Sequence, residues 1–268
     1  GKKIASAPVI TVSGPDGVQL MQASVGEGFH WEHREDLVFP GKMEFLAGPV
    51  GVMAINELPL EDYLASVNSS EMSSESPEEF LKAQTVAARS TVLATMGNHH
   101  YGEPYDLCNG DHCQCYYGNG RLSPASVAAT EATTNLALLH KGIIADTRYA
   151  KICGGMRESY DNVWEKFNPP YLPAAWDGES RNSVDVSEYI HSRPDCWCNP
   201  DIHPYPDYYD YARPWFRWNK QIDANIVVNN IMEATGGGFS GKLNKIEIES
   251  RGKSGRINRA KVIGTGGQ

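Results

Sequence analysis

Leu58-Pro59-Leu60-Glu61-Asp62-Tyr63-Leu64-Ala65-Ser66-Val67-Asn68-Ser69-Ser70-Glu71-Met72 reads as a helix whose far end decides the chemistry. Pro59 suits the first turn, where its missing N–H would have no intrahelical partner. Leu60, Leu64 and Val67 recur at helical spacing and mark a core-facing stripe. At about 3.6 residues per turn, Glu71 falls on that same stripe. A carboxylate there meets the negative end of the helix dipole and apolar surroundings, and both favour its protonated form. That is how a general acid is made at neutral pH. A helix that stops at Asn68 would instead leave Glu71 solvated.

A second helix follows at once. Ser76-Pro77-Glu78-Glu79 offers a capping residue, a proline at the first helical position and a glutamate where a capping box wants one. The run Phe80 to Met96 is strongly helical, and Gly97-Asn98 supplies the stop. Gln84, Ala88 and Thr91 share one face. Gln84 and Arg89, polar on a small apolar helix, are either surface residues or reach the cleft that Glu71 faces.

These two helices resemble the signature of the SpoIID/LytB family, through Leu58 to Met72 and Leu81-Lys82-Ala83-Gln84-Thr85-Val86-Ala87-Ala88-Arg89. Tyr105-Asp106-Leu107-Cys108-Asn109-Gly110-Asp111-His112-Cys113-Gln114, Gly154-Gly155 with Glu158, Val163-Trp164 and Pro170-Tyr171-Leu172 extend the match in family order. Characterised members are peptidoglycan lytic transglycosylases of sporulation, and the LytB branch is described as enhancing cell-wall amidases. The resemblance therefore implies an extracytoplasmic enzyme that cleaves glycan strands between muramic acid and glucosamine to leave 1,6-anhydro ends. Glu71 is then the catalytic acid/base, with Gln84, Arg89 and Tyr171 orienting substrate. The rival expectation is a non-catalytic wall-binding enhancer of an N-acetylmuramoyl-L-alanine amidase. A zinc hydrolase ranks last, because no His-Glu-x-x-His helix is present.

Composition sets outer bounds. The 268 residues suffice for one large domain or two modest ones. A net charge of -9 argues against a nucleic-acid partner. No apolar run approaches the length of a membrane span, and no signal-peptide pattern opens the chain. The start at Gly1-Lys2-Lys3 decides nothing about export.

Six cysteines, at 108, 113, 115, 153, 196 and 198, read as disulfides in an extracellular chain and as metal ligands in a cytosolic one. The loop from His99 to Gly118 gathers thiols and imidazoles, the preferred ligands of tetrahedral zinc. Some SpoIID members bind zinc in this loop. Carried over, the resemblance implies a structural rather than catalytic zinc on Cys108, His112 and Cys113, with His100 as the fourth ligand; a disulfide is the alternative. Cys153 stands where the family more often has serine. It is read as a structural cysteine or as a partner of Cys196 or Cys198, and Cys196-Trp197-Cys198 pins its segment to metal or to another thiol.

The rest of the chain is read more coarsely. Residues 7–56 are β-rich, with Val9 to Val12 and Val18 to Ala23 joined as a hairpin across Gly14-Pro15-Asp16-Gly17. His30 and His33 receive no role. Val127 to Thr133 is a short helix, and Lys141-Gly142 turns between two short strands. The tryptophans and tyrosines between 169 and 218 fit either a sugar-stacking groove or a loop-rich core. Trp215 to Ile222 begins as a strand, Asp223 to Ala234 is a helix with Ile226, Val227 and Ile231 inward, and a hairpin closes the chain. The expectation is an α+β fold: mixed short β-sheets around two central helices, loop-rich, with a C-terminal strand–helix–hairpin unit. It is a single SpoIID-like domain over 1–268, with a β-rich N-terminal region over 1–56, a catalytic core over 57–180 and a C-terminal α/β region over 181–268.

Overall fold

The computed structural model describes residues 8–29, 31–48, 51–110, 112–164, 166–179, 185–239 and 241–266. His30 and Asp111, both singled out in the sequence, lie outside the described residues. The fold is α+β, and the chain divides into two compact units, Gly1–Tyr149 and Ala150–Gln268.

The first unit opens with strands β1 (Val9–Ser13), β2 (Val18–Val25), β3 (His33–Phe39), β4 (Lys42–Gly48) and β5 (Gly51–Glu57). The expected β1–β2 hairpin does not form. The turn itself is present, with the Gly17 N–H donating to the Gly14 carbonyl at 3.1 Å. Its two arms enter different sheets: β1 pairs with β4, Val9 facing Leu46, while β2 pairs with β3, Val18 facing Phe39. Alternation of apolar residues selects a face for a strand and leaves its partner open. The core chose the partner: Val25, Leu37, Phe39 and Met43 from β2, β3 and β4 are buried together, whereas Val9 and Val12 stay exposed.

Helices α1 (Leu60–Glu71) and α2 (Glu78–Thr95) close over that layer. Leu64 and Val67 are fully buried, as the stripe required, and Tyr63 joins them in the core. Both prolines, Pro59 and Pro77, sit one position earlier than read, at the N-caps. Polar side chains lock the pair. Buried Asn68 donates through Nδ2 to the Leu81 carbonyl at 3.0 Å and to Thr85 Oγ1 at 2.5 Å. Substituting Asn68 would remove both of these links between α1 and α2, while Thr85 Oγ1 would still donate to the Leu81 carbonyl at 2.9 Å.

Helix α3 (Pro124–Ala132) is capped by Ser123, whose own N–H donates to Ser69 Oγ of α1 at 3.1 Å. Strands β6 (Leu139–His140) and β7 (Ile143–Ile144) pair across Lys141-Gly142, both at positive φ as a two-residue hairpin turn demands. Among the described residues, no helix is long and apolar enough to cross a membrane.

The second unit holds the short ladder of β8 (Met156–Arg157) with β9 (Ala175–Trp176), the single turn α4 (Val186–Tyr189), helix α5 (Ala224–Thr235) and the hairpin of β10 (Leu243–Arg251) with β11 (Ile257–Gly264). The strand expected from Trp215 is absent. Asp207–Trp215 is a 3-10 helix, and the chain beyond it is anchored by side chains rather than a ladder. Phe216 is buried under the Arg217 guanidinium, 4.4 Å from its ring centre, and Arg217 donates to the carbonyls of Gly154 and Ser192. The inward face assigned to α5 is also overturned at Ile226, which is 53 % exposed. No residue of α5 is buried; Val227, Val228 and Ile231 are half-covered. The aromatic-rich segment divides between its two readings: Tyr189 is buried, while Trp197, Trp215 and Trp218 are exposed.

Candidate active site

Helix α1 runs to Glu71 and stops there, with Met72 turning to an extended conformation. The helix therefore does not end at Asn68, and the carboxyl group stands at its C-terminal edge. Two donors reach Oε1: the backbone N–H of Cys115 at 3.0 Å and the Tyr149 hydroxyl at 3.4 Å. Tyr63 lies eight residues before Glu71 on the same helical face. Burial first, and then the neighbouring Cys113, Cys108 and Glu71, push the Tyr63 phenol well above its ordinary range. Burial and the charge of Glu71 do the same for Tyr149. Both phenols stay protonated at any working pH, so Tyr149 remains a donor to the carboxylate.

Cys115 is held in place by the loop around it. Buried Tyr116 and Tyr117 follow it into the core, and the Tyr116 hydroxyl donates to Asn56 Oδ1 at 2.5 Å. Gly118 then passes so close to β3 that a Cβ there would collide with the Val38 carbonyl oxygen. It also has positive φ, so only glycine fits on both counts. Ser66 Oγ of α1 donates to the Gly118 carbonyl at 2.5 Å, and Asn119 N–H to that of Val38 at 2.7 Å.

The same loop brings His100, Cys108, His112 and Cys113 together, one ligand atom from each lying within 4.8 Å of the others. His100 Nε2 is 3.3 Å and His112 Nδ1 3.9 Å from Cys113 Sγ. Zinc bonds of about 2.0–2.3 Å at tetrahedral angles separate ligand atoms by roughly 3.3–3.8 Å, so this donor set fits the ion. The choice between adjacent histidines is also made: His99 Nε2 faces Arg148 Nη2 at 2.9 Å, outside the cluster. Without a cation, the hydrogen bond between Cys108 and Cys113 holds the Cys108 thiol down, to about 4, and pushes Cys113 up.

The remaining site residues separate. Gln84 is 8 % exposed, and its Nε2 has no hydrogen-bond partner among the described residues. Arg89 is 1 % exposed and pairs bidentately with Glu61 at 2.6 and 3.0 Å, its Nη1 donating to the Leu136 carbonyl. The structure thus places Arg89 as a brace between α1, α2 and the segment before β6. Tyr171 is half-buried in the second unit, in the turn from Pro169 to Leu172. Glu158, also of the second unit, accepts from Ser159 N–H and Asn162 at Oε1 and from Ser254 at Oε2. Neither Tyr149, which no local pattern marks, nor Tyr63, which its spacing to Glu71 could have marked, is given a role from sequence alone.

Residues 50–140 match the model of the family described as SpoIID, stage II sporulation protein. Residues 158–268 match a domain of unknown function, DUF8618. An uncharacterized protein of Brachyspira hyodysenteriae is 28% identical over 167 residues, 60% of this chain and 45% of that protein. The chain thus spans less than half the length of that relative. The segment that carries α1, α2 and the histidine–cysteine loop is thus the part of the chain that is similar to the SpoIID family.

Proposed function

We propose that this protein is a peptidoglycan lytic transglycosylase of the cell envelope, with Glu71 as its acid/base. The observation that carries the reading is the fixed carboxyl group at the end of α1, oriented at Oε1 by the Cys115 N–H and the Tyr149 hydroxyl. The match of residues 50–140 to the SpoIID family supports a cell-wall role in sporulation.

One carboxyl group suffices for this reaction. Hydrolytic glycosidases use two, the second to activate water or attack the sugar. Here Glu71 gives its proton to the glycosidic oxygen as the C1–O bond breaks, releasing the glucosamine-side hydroxyl. The 6-hydroxyl of the muramic acid closes on C1, and its proton returns to the Glu71 carboxylate. Other acids are engaged elsewhere: Glu61 pairs with Arg89, and Glu78 and Glu79 with Lys82. Both oxygens of Glu158 accept hydrogen bonds within its own unit. Gln84, whose buried Nε2 has no hydrogen-bond partner among the described residues, suits a sugar hydroxyl or acetamido group.

His100, Cys108, His112 and Cys113 would hold zinc in this reading. Such a closed four-ligand ion supplies a structural cross-link to the loop and no open coordination position. The chain's own role is to carry Cys115 to the right place beneath Glu71.

The deciding experiment digests purified glycan strands in oxygen-18 water and reads the products by mass spectrometry. Anhydro-muramic ends without label are expected. Labelled reducing ends would mean hydrolysis. No cleavage, combined with stimulation of a wall amidase, would favour the enhancer role.

A further inference from the structure

The second unit carries a second constellation of metal-ligand type. Cys153, Asp177 and Cys198 place one ligand atom each within 4.8 Å of one another. The Cys153 and Cys198 sulfurs are 3.6 Å apart. Two thiolates on a tetrahedral zinc stand about 3.7 Å apart, whereas a disulfide bond is about 2.05 Å long. Asp177 Oδ2 accepts the Cys198 N–H at 3.2 Å, so the carboxylate is aimed at the turn that bears the sulfur. Cys196, 1 % exposed, is the neighbouring thiol, two residues before Cys198 on the same turn.

The surroundings are built to hold these turns. Gly155 lies so close to Cys196 that an added Cβ would sit 2.9 Å from its sulfur, and both Gly154 and Gly155 have positive φ. Tyr189 and Arg217 donate to the Gly154 carbonyl, Arg256 to that of Cys153 at 2.7 Å and Tyr205 to that of Cys198 at 2.6 Å. The two arginines thus engage backbone carbonyls around the cluster. Two thiols and a carboxylate at these separations, with a third thiol on the same turn, make a donor set of the kind that holds zinc.

We propose that Cys153, Cys198 and Asp177, with Cys196 as fourth ligand, bind a structural zinc ion in the second unit. Zinc joins β8 and β9 to the Cys196–Asn199 turn, where a unit with a short ladder and an exposed α5 has little core to do so. Coordination would also keep these thiols from pairing as a disulfide. The assignment is independent of Glu71 and of the reaction it performs.

The test is zinc stoichiometry on the full chain purified without chelator, with each cysteine followed by alkylation and peptide mass spectrometry. Two zinc ions per chain are expected, with Cys153, Cys196 and Cys198 protected from alkylation until chelator is added. The double variant Cys153→Ser/Cys198→Ser should retain one zinc, with Cys108 and Cys113 still protected. Should that variant fail to fold, the alkylation pattern of the unaltered chain decides alone. A Cys153–Cys198 or Cys153–Cys196 disulfide in native protein would overturn the proposal, as would chelator-independent labelling of the three thiols.

Discussion

The backbone N–H of Cys115 donates to Glu71 Oε1 at 3.0 Å, two residues after Cys113 of the His100–Cys113 cluster. A main-chain donor cannot be replaced by changing a side chain, so the carboxyl group depends on the path of the whole loop. What fixes that loop also fixes the acid.

Glu71→Gln should abolish glycan cleavage, by at least about a hundredfold, because the amide has no proton to transfer. Gln keeps an oxygen acceptor for the Cys115 N–H, so the thermal midpoint should be nearly unchanged. Turnover assays on isolated glycan strands alongside a melting curve decide this, and retained cleavage would remove Glu71 from its role.

Gln84→Leu should raise KM several-fold while leaving stability equal or slightly higher. The buried Nε2 has no internal partner, so an apolar replacement of similar volume loses no hydrogen bond there. A stability loss above about 1 kcal/mol with unchanged KM would mark Gln84 as a packing residue only.

Chelation, or Cys113→Ser, should lower stability by about 3 kcal/mol or more, equivalent to roughly 6–12 °C in Tm. Cleavage should fall as a second effect, since the loop would no longer carry Cys115 to Glu71. Restoring zinc to chelated protein should recover both. Loss of activity without any shift in Tm would contradict a bracing role.

Arg89→Met should destabilise by about 2–3 kcal/mol by stranding Glu61, less than for a fully buried pair because Glu61 is a third exposed. Adding Glu61→Leu should recover some of that loss, which a double-mutant cycle in urea would show.

Burial alone would raise the pKa of Glu158, but hydrogen bonds from Ser254, Ser159 and Asn162 outweigh it and hold the carboxyl below its ordinary 4.5. A lowered folded pKa contributes stability that is present above the unfolded value and lost as pH falls through the folded one. The second unit should therefore hold steady from neutral pH down to about pH 5 and weaken below it. Ser254→Ala should move that decline to higher pH in acid titrations followed by circular dichroism.

Helix α1 was legible because Leu60, Leu64 and Val67 encode a buried face, and Glu71 inherits its position from the same periodicity. The histidine–cysteine loop was legible by residue type, though only packing told His100 from His99, through Arg148. Strand partners were not legible: Val9 to Val12 alternates equally well against β2 or β4. Ile226 misled because periodicity reports amphipathicity and not whether a neighbour covers the face, and the strand read from Trp215 gave way to a 3-10 helix that ends on that residue. Tyr149 contacts Glu71 from 78 residues away, a distance over which no local pattern carries information.

The match to the SpoIID family ends at residue 140, and Tyr149 lies beyond it. Thr147, which donates to the Ala87 carbonyl of α2 at 2.8 Å, is beyond it too. At the other end, Val25, Leu37, Phe39 and Met43 precede residue 50, although α1 and α2 rest on them. A recombinant fragment trimmed to the family match would keep Glu71 and discard both its phenolic donor and the floor beneath its helix. The boundary that matters for cloning is that of physical contact, at Tyr149, and a fragment ending one residue short would already lack the hydroxyl.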